Sequence, residues 1–106
     1  MSQIETARSI VQAINSQDRT LFYGAFAAPE TVQMTDDGSP HNFTEWAEGE
    51  LFGVQNHLTV NVEREDGRTV RLEGSYQSAK WGTFNTFWRF TFDDVGKVSH
   101  LDVGAL

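Results

Sequence analysis

The chain has 106 residues, which suits one domain over residues 1–106, and a domain of this size can bury about two-thirds of its unfolded surface. It contains no cysteine, which excludes thiol chemistry, disulfides and cysteine-ligated zinc. Eight Lys and Arg against fifteen Asp and Glu give a net charge of −7, so we expect no nucleic acid as a partner. The absence of a long apolar run or a signal pattern predicts a cytoplasmic protein with no membrane contact.

The N-terminal segment predicts two helices. Ser2 and Glu5 can form a capping box, in which each side chain accepts a hydrogen bond from the backbone N–H of the other residue. Apolar residues at helical spacing then predict a first helix over residues 3–15. Asp18 is a suitable N-cap for a second helix over residues 19–27, which a proline ends. The buried side of this second helix is expected to hold Leu21, Phe22 and Phe26.

A strand, a turn and a third helix follow in the middle of the chain. Residues 30–34, ETVQM, are typical of a short strand. The stretch DDGSPH, residues 36–41, is polar and rich in turn formers, so we expect a turn that leads into a helix. That helix is predicted over residues 42–52, with either Asn42 or Thr44 as its cap.

From residue 57 onward the hydrophobic pattern changes to a period of two, which is typical of strands. Four strands are predicted over residues 57–65, 68–77, 83–92 and 97–103. The sequence EDG between the first two strands is a strong hairpin signal. Three helices followed by mainly antiparallel strands indicate an α+β fold, with the helices on one face of a sheet.

Alternation along these strands assigns their side chains to two faces of the sheet. The apolar face, expected to lie against the helices, holds Leu58, Val60, Val62, Val70, Leu72, Tyr76, Phe84, Trp88, Phe90, Phe92, Leu101 and Val103. The opposite face, expected to contact water or a partner subunit, holds Thr59, Asn61, Glu63, Arg71, Glu73, Asn85, Phe87, Arg89, His100 and Asp102. A β-bulge in any strand would exchange the two faces beyond it.

Two stretches carry a resemblance to a known family: FYGAFAAPETVQMTDDG, in the second helix and first strand, and FTFDDVGKVSHLDV, in the last hairpin. With the order of elements, they resemble the nuclear transport factor 2-like superfamily, which includes the SnoaL-like polyketide cyclases and the ketosteroid isomerases. The resemblance implies a cystatin-like cone, in which three N-terminal helices pack on a strongly curved, mainly antiparallel sheet around a pocket. It also implies a homodimer formed through the outer sheet face. Because this superfamily contains enzymes and binding domains, the fold alone does not determine the function.

The catalytic carboxyl groups of the related isomerases have no direct counterparts in this chain. The resemblance places a general base just after strand one, where this sequence has Met34. It places a carboxylic acid on the penultimate strand, where this sequence has Trp88. The first helix also lacks the tyrosine of those enzymes, and Tyr23 in the second helix is the nearest candidate by sequence. Asp36 lies two residues beyond Met34 and shares its face if the strand continues.

Asp36 is therefore the single candidate catalytic residue, as a general base at the mouth of the pocket. The alternative is turn chemistry, which the sequence DDGSP also suits and which we favour for both aspartates, more strongly for Asp37. His100 and Asp102 have the spacing of a catalytic dyad on one strand face, but alternation places both on the outer face of the sheet.

The pocket is expected to be lined by Tyr23, Met34, Trp46, Tyr76, Phe84, Trp88, Phe90 and Leu101. Buried tryptophan and tyrosine need partners for their polar groups, and several of them in a small cone suit a flat or apolar ligand. The dimer face is expected to include Phe87, Arg89, His100 and Asp102, since an aromatic ring among mixed charges suits an interface. His41 and His57 have no neighbours at ligand spacing, so we expect neither a metal nor another cofactor.

Three functions are compatible with these features. The leading hypothesis is a homodimeric domain that binds a small hydrophobic molecule in the aromatic pocket. A second is an enzyme of the cyclase, isomerase or dehydratase kind, with Asp36 as the base and Tyr23 or Tyr76 as a hydrogen-bond donor. A third is a protein–protein interaction module that uses the outer sheet face. The direction of the Asp36 carboxylate bears most directly on the second hypothesis.

Overall fold

Three α-helices and six β-strands make up the fold in a computed structural model that describes residues 1–106. The helices are α1 (Gln3–Ser16), α2 (Arg19–Gly24) and α3 (Phe43–Glu50), and a 3₁₀ turn covers Pro29–Thr31. The strands are β1 (Gln33–Asp36), β2 (Ser39–His41), β3 (Asn56–Asp66), β4 (Thr69–Ser78), β5 (Gly82–Phe92) and β6 (Val98–Ala105). They form one sheet in the order β2-β1-β6-β5-β4-β3, in which only β1 and β6 pair in parallel. The predicted α+β class is confirmed.

Side-chain caps fix the start of each helix, as the sequence predicts. The Ser2 hydroxyl accepts from the backbone N–H of Glu5, and the Glu5 carboxylate accepts from the backbone N–H of Ser2. Asp18 caps α2 and Asn42 caps α3, each by accepting from a backbone N–H three residues further on. Each cap of this kind is worth about 1 kcal/mol. The predicted burial of Leu21 is wrong, because the short helix α2 turns this residue to solvent and buries its neighbour instead.

The predicted turn after β1 is shorter than expected, because Ser39–His41 pairs with β1 as a strand of its own. Only Asp37 and Gly38 remain in the turn, with φ angles of 50° and 81°. Two consecutive positive φ angles are typical of the type I′ turn of antiparallel hairpins, for which Asp-Gly is a preferred pair. β1 itself begins at Gln33 rather than at Glu30, because the 3₁₀ turn occupies the residues before it.

A β-bulge between Val60 and Val62 exchanges the two faces of β3 beyond it. Val62 pairs with Glu73 on the outer face, whereas Glu63 lies opposite a core leucine on the helix-facing side. The predicted faces of Val62 and Glu63 are therefore wrong, since the extra residue shifts the alternation by one. The exchange brings Glu63 to α1, where its Oε1 lies 2.6 Å from Nη2 of Arg8.

The core lies between the helices and the apolar face of the sheet, and 23 buried residues form it. Phe22 of α2 packs on Phe26, Phe43 and Phe52 at centroid distances of 4.8, 6.0 and 5.1 Å. A second group of aromatic rings, on α3, β4 and β5, surrounds a cavity and is described below. None of the helices combines the length and the apolar character that a membrane crossing requires.

Next to the bulge, β3 and β4 lie so close together that one added methyl group at Gly74 should strongly lower the stability of the protein. A Cβ at Gly74 would lie 2.0 Å from the carbonyl oxygen of Thr59, so alanine cannot fit unless the β3 backbone moves. We expect Gly74→Ala to lower the free energy of unfolding by about 3 kcal/mol or more in urea denaturation. Gly49→Ala is the matched control, because its Cβ meets nothing within 4 Å and helix propensity favours it by up to about 1 kcal/mol. If the Gly74→Ala variant is as stable as the wild type, the result contradicts the close approach of β3 and β4.

Candidate functional site

A cavity of about 240 Å³ lies between α3, the end of β1 and the apolar face of β4, β5 and β6. Its aromatic wall consists of Trp46, Tyr76, Trp81, Phe84 and Trp88. Its polar wall consists of Asp36, Asp37, Glu50 and Thr86, and the remaining lining residues are Leu51, Val103, Gly104 and Ala105. No lysine, arginine or histidine lines the cavity.

The carboxylate of Asp36 belongs to the cavity wall rather than to an exposed turn. In the parallel pairing of β1 with β6, Asp36 lies opposite Val103, whose side chain belongs to the apolar face. The indole Nε1–H of Trp46 donates to Oδ2 of Asp36 at 2.9 Å. The other oxygen, Oδ1, accepts no hydrogen bond from the protein, and the residue is half-buried. Asp36 thus presents a free acceptor at this point of the wall.

Met34 and Trp88 occupy the positions at which the resemblance places the carboxyl groups of the isomerases. Met34 is buried in the core and does not line the cavity. Trp88 lines the cavity, and its Nε1–H donates to Oγ1 of Thr86 at 3.0 Å. The Thr86 hydroxyl in turn donates to the carbonyl oxygen of Gly74 at 3.3 Å. Neither position supplies an acid or a base.

Tyr76 contributes a ring to the cavity, and its hydroxyl group is bonded to the protein. The hydroxyl donates to the backbone carbonyl of Glu50 at 3.2 Å and accepts from Nδ2 of Asn56 at 3.1 Å. Burial raises the pKa of the Tyr76 phenol above its ordinary value. The ring packs edge-on against Trp88 and Phe84, at centroid distances of 5.7 and 6.1 Å.

Glu50 and Trp81 line the cavity although the sequence predictions omitted them. Glu50 ends α3 four residues after Trp46, so the two side chains share one helix face. From that spacing, the sequence could have predicted that Glu50 lines the pocket beside Trp46. Trp81 lies between β4 and β5 and donates its Nε1–H to Oε2 of Glu50. Lys80 also contacts this carboxylate, with Nζ 3.1 Å from Oε1.

Four residues predicted to line the pocket do not reach it: Tyr23, Met34, Phe90 and Leu101. Phe90 and Leu101 are fully buried in the core. Tyr23 packs among the phenylalanines of α2 and α3, and its hydroxyl donates to Oε2 of Glu48 at 2.7 Å. Burial, followed by the Glu48 carboxylate, raises the pKa of Tyr23 above its ordinary range. Tyr23 therefore belongs to the cluster of rings around Phe22, outside the cavity, and cannot act together with Asp36.

His100 and Asp102 lie on the outer face of the sheet, as alternation predicts. Both approach the same hydroxyl group of Thr35 on β1. That hydroxyl donates to Oδ1 of Asp102 at 2.7 Å, and Nε2 of His100 lies 3.3 Å from it. The two side chains therefore meet at a threonine and do not form a dyad with each other.

Phe87 and Arg89 also lie on the outer face. The Phe87 ring is half-buried beneath the guanidinium group of Arg71, which lies 4.5 Å from the ring centroid. Arg71 is further paired with Glu73 at 2.8 Å. Arg89 is exposed and forms no ion pair within the chain.

Asp37 is a turn residue, as expected, and it also has a structural partner. Its Oδ1 accepts from the backbone N–H of Ala105 at 2.9 Å, which ties the β1–β2 turn to the end of β6. His41 and His57 are both exposed. No three histidine, aspartate or glutamate side chains converge on one point where a metal ion would bind.

Comparison with known proteins gives different results for sequence and for structure. No family model matches the sequence, and no curated protein is significantly similar to it. A nuclear transport factor 2-like protein of unknown function from Cytophaga hutchinsonii superposes with a TM-score of 0.82. The match covers 97% of this chain and 88% of that protein at 13% identity.

Two further solved structures give similar values. An uncharacterised cystatin-fold protein from Novosphingobium aromaticivorans has a TM-score of 0.80 and 18% identity, with 97% of each chain covered. A candidate ketosteroid isomerase from Kribbella flavida has a TM-score of 0.80 and 14% identity, with 98% of this chain and 77% of that protein covered. The chain therefore has the nuclear transport factor 2-like, cystatin-type fold, and the predicted cone is confirmed. At identities this low, the similarity concerns the fold and not the activity.

Proposed function

We propose that this protein binds a small, largely apolar ring compound in the cavity between α3 and the sheet. The observation that carries the proposal is that five aromatic side chains surround one cavity. The indole and phenol polar groups among them are already bonded to the protein. The ring faces and edges are thereby left for a ligand, and a flat molecule gains contact with several of them at once.

The cavity volume limits the size of this ligand. At about 240 Å³, the cavity is larger than the apolar cavity of about 150 Å³ that holds benzene in another protein. It is smaller than the roughly 300–1,000 Å³ of sites for drug-sized molecules. We therefore propose a ligand of one or two rings.

The mouth of the cavity supports the same proposal. Trp81 is 60% exposed and Phe84 is 38% exposed, although both are large apolar residues. Exposed apolar side chains grouped beside a concave surface often mark a binding site, because a ligand can cover them. A bound ring compound would reduce the exposure of both side chains.

Titration with indole or 2-naphthol tests this proposal by NMR. All three tryptophans of the chain line the cavity, so their indole N–H resonances report directly on its occupation. We expect saturable shifts in these resonances for the wild type. Ala105→Phe should weaken binding at least about tenfold, because the larger side chain occupies the cavity edge. Ala28→Phe is the control, since Ala28 is exposed and does not line the cavity. Unsaturable or absent shifts in the wild type would contradict the proposal.

An acid–base enzyme is the second candidate, and the position of Asp36 favours it. A half-buried carboxylate with one free oxygen beside aromatic rings can accept a proton from a bound molecule. A cyclase or isomerase also needs a donor for the negative charge that develops in its substrate. The Tyr76 hydroxyl already donates its hydrogen bond to the backbone carbonyl of Glu50, and Tyr23 lies outside the cavity. Binding without chemistry is therefore the better supported of the two functions.

Proton abstraction can be measured as α-hydrogen exchange of a small cyclic ketone, such as cyclohexanone, in D₂O. If Asp36 acts as a base, the wild type accelerates the exchange and Asp36→Asn reduces the acceleration at least about 100-fold. Asp94→Asn is the matched control, because Asp94 is exposed and lies outside the cavity. An exchange rate equal to that of buffer alone would remove this candidate and leave the binding proposal intact.

We also propose that two copies of the chain associate through the outer sheet face. Arg89 is exposed there without an ion-pair partner, and Glu73 and Asp102 place carboxylates on the same face. Mixed charges around the half-buried ring of Phe87 allow this surface to pair with itself about a two-fold axis.

Light scattering should give twice the mass of one chain. Arg89→Glu brings like charges together across the interface, so we expect it to weaken the dimer at least about tenfold. Lys97→Glu makes the same change of charge in the turn before β6 and should leave the dimer intact. A wild type that stays monomeric at the highest concentration measured would rule out this association.

A further inference from the structure

The side chains that line the cavity have no free hydrogen-bond donor for a ligand. Five of them carry an N–H or O–H group, and each group already donates to another atom of the protein: Trp46, Tyr76, Trp81, Thr86 and Trp88. A carbonyl, carboxylate or phosphate group in the cavity would therefore find no side-chain donor. Burial of such a group without a hydrogen bond is unfavourable.

Acceptors, in contrast, are in excess at the same wall. Asp36, Asp37 and Glu50 line the cavity, and no basic residue is among the lining residues. Glu50 is paired with Lys80 from outside the lining, whereas Asp36 and Asp37 form no ion pair. Oδ1 of Asp36 accepts no hydrogen bond from the protein. The net charge of −7 adds a negative potential over the whole molecule, which attracts cations and repels anions.

A cation of the chain itself already uses this wall. Nζ of Lys80 lies 3.1 Å from Oε1 of Glu50 and 5.4 Å from the ring centroid of Trp81. A carboxylate and an indole ring thus hold one ammonium group together at the mouth of the cavity. Asp36 and Trp46 repeat this combination at another point of the wall, where no ammonium or guanidinium group pairs with the carboxylate.

We propose that the ligand of this cavity is an organic cation, a protonated amine carried on a small ring. This inference rests on the proposed binding function and adds the charge of the ligand to it. The ammonium group would donate to Oδ1 of Asp36 in a charge-assisted hydrogen bond, while the ring packs on the aromatic wall. The indole ring of Trp46 would add a cation–π attraction. A neutral ring compound can donate at most an O–H or N–H hydrogen bond to Oδ1, without the attraction between two opposite charges and without the cation–π attraction, and an anion is repelled.

Three compounds with one ring and different charges test the inference: benzylamine, benzyl alcohol and benzoate. They are titrated at neutral pH against the wild type, with the indole N–H resonances as the readout. We expect benzylamine to bind at least about tenfold more tightly than benzyl alcohol, and benzoate to bind more weakly than either. Equal affinity for the amine and the alcohol, or a preference for benzoate, would overturn the inference.

The Asp36→Asn variant locates the preference within the cavity. Asparagine keeps the size of the side chain and an acceptor for the Trp46 indole, but it removes the charge. We expect the preference for benzylamine to fall to about threefold or less in this variant and to persist in Asp94→Asn. Retention of the full preference in Asp36→Asn would assign it to the general charge of the protein and overturn the proposed contact.

Different results would contradict the cationic charge of the ligand and the binding function itself. If indole or benzyl alcohol binds as tightly as benzylamine, the cavity is a binding site without selection for cations, and only the inference of a cationic ligand is lost. If no ring compound of any charge gives saturable shifts, the proposed binding function is lost together with the inference.

Discussion

The register of β1 on β6 is the constraint on which the cavity depends. β1 has only four residues, and a shift by one residue would turn Asp36 outward and Thr35 inward. Asp37 holds this register from the adjoining turn. Its N–H donates to the carbonyl oxygen of Val103, and its Oδ1 accepts from the N–H of Ala105. The hydrogen bonds of a turn residue thus determine which side chain reaches the cavity.

The hydrogen bonds of the three indoles determine what the cavity offers once this register is set. Each tryptophan is bonded through its N–H to a side chain of the wall: Trp46 to Asp36, Trp81 to Glu50 and Trp88 to Thr86. These bonds orient the rings in the absence of a ligand, so less side-chain freedom remains to be lost on binding. The same bonds occupy the three indole N–H donors. The contacts that orient the tryptophan rings therefore also leave these rings without a donor for a ligand.

Local patterns predicted the parts of the fold that local interactions govern. The helix caps and the alternation along β4 and β5 involve neighbours in the chain, and both are present as predicted. Alternation puts Val62 on the wrong face because a bulge depends on the partner strand. The pocket position predicted for Tyr23 is wrong because the sequence of α2 does not show where this helix packs. No local pattern indicates that the turn carrying Trp81 lies over a cavity.

The chain departs from the isomerases at two positions, which hold Met34 and Trp88. Met34 and Trp88 leave these two buried positions without a carboxyl group, and the carboxylate of Asp36 lies at the end of β1 instead. A charge buried deep in an apolar site is unfavourable unless a partner neutralises it. A half-buried carboxylate keeps part of its hydration when the cavity is empty and can exchange that water for a cationic ligand. This distribution of charge supports the proposed binding of a cationic ligand at Asp36.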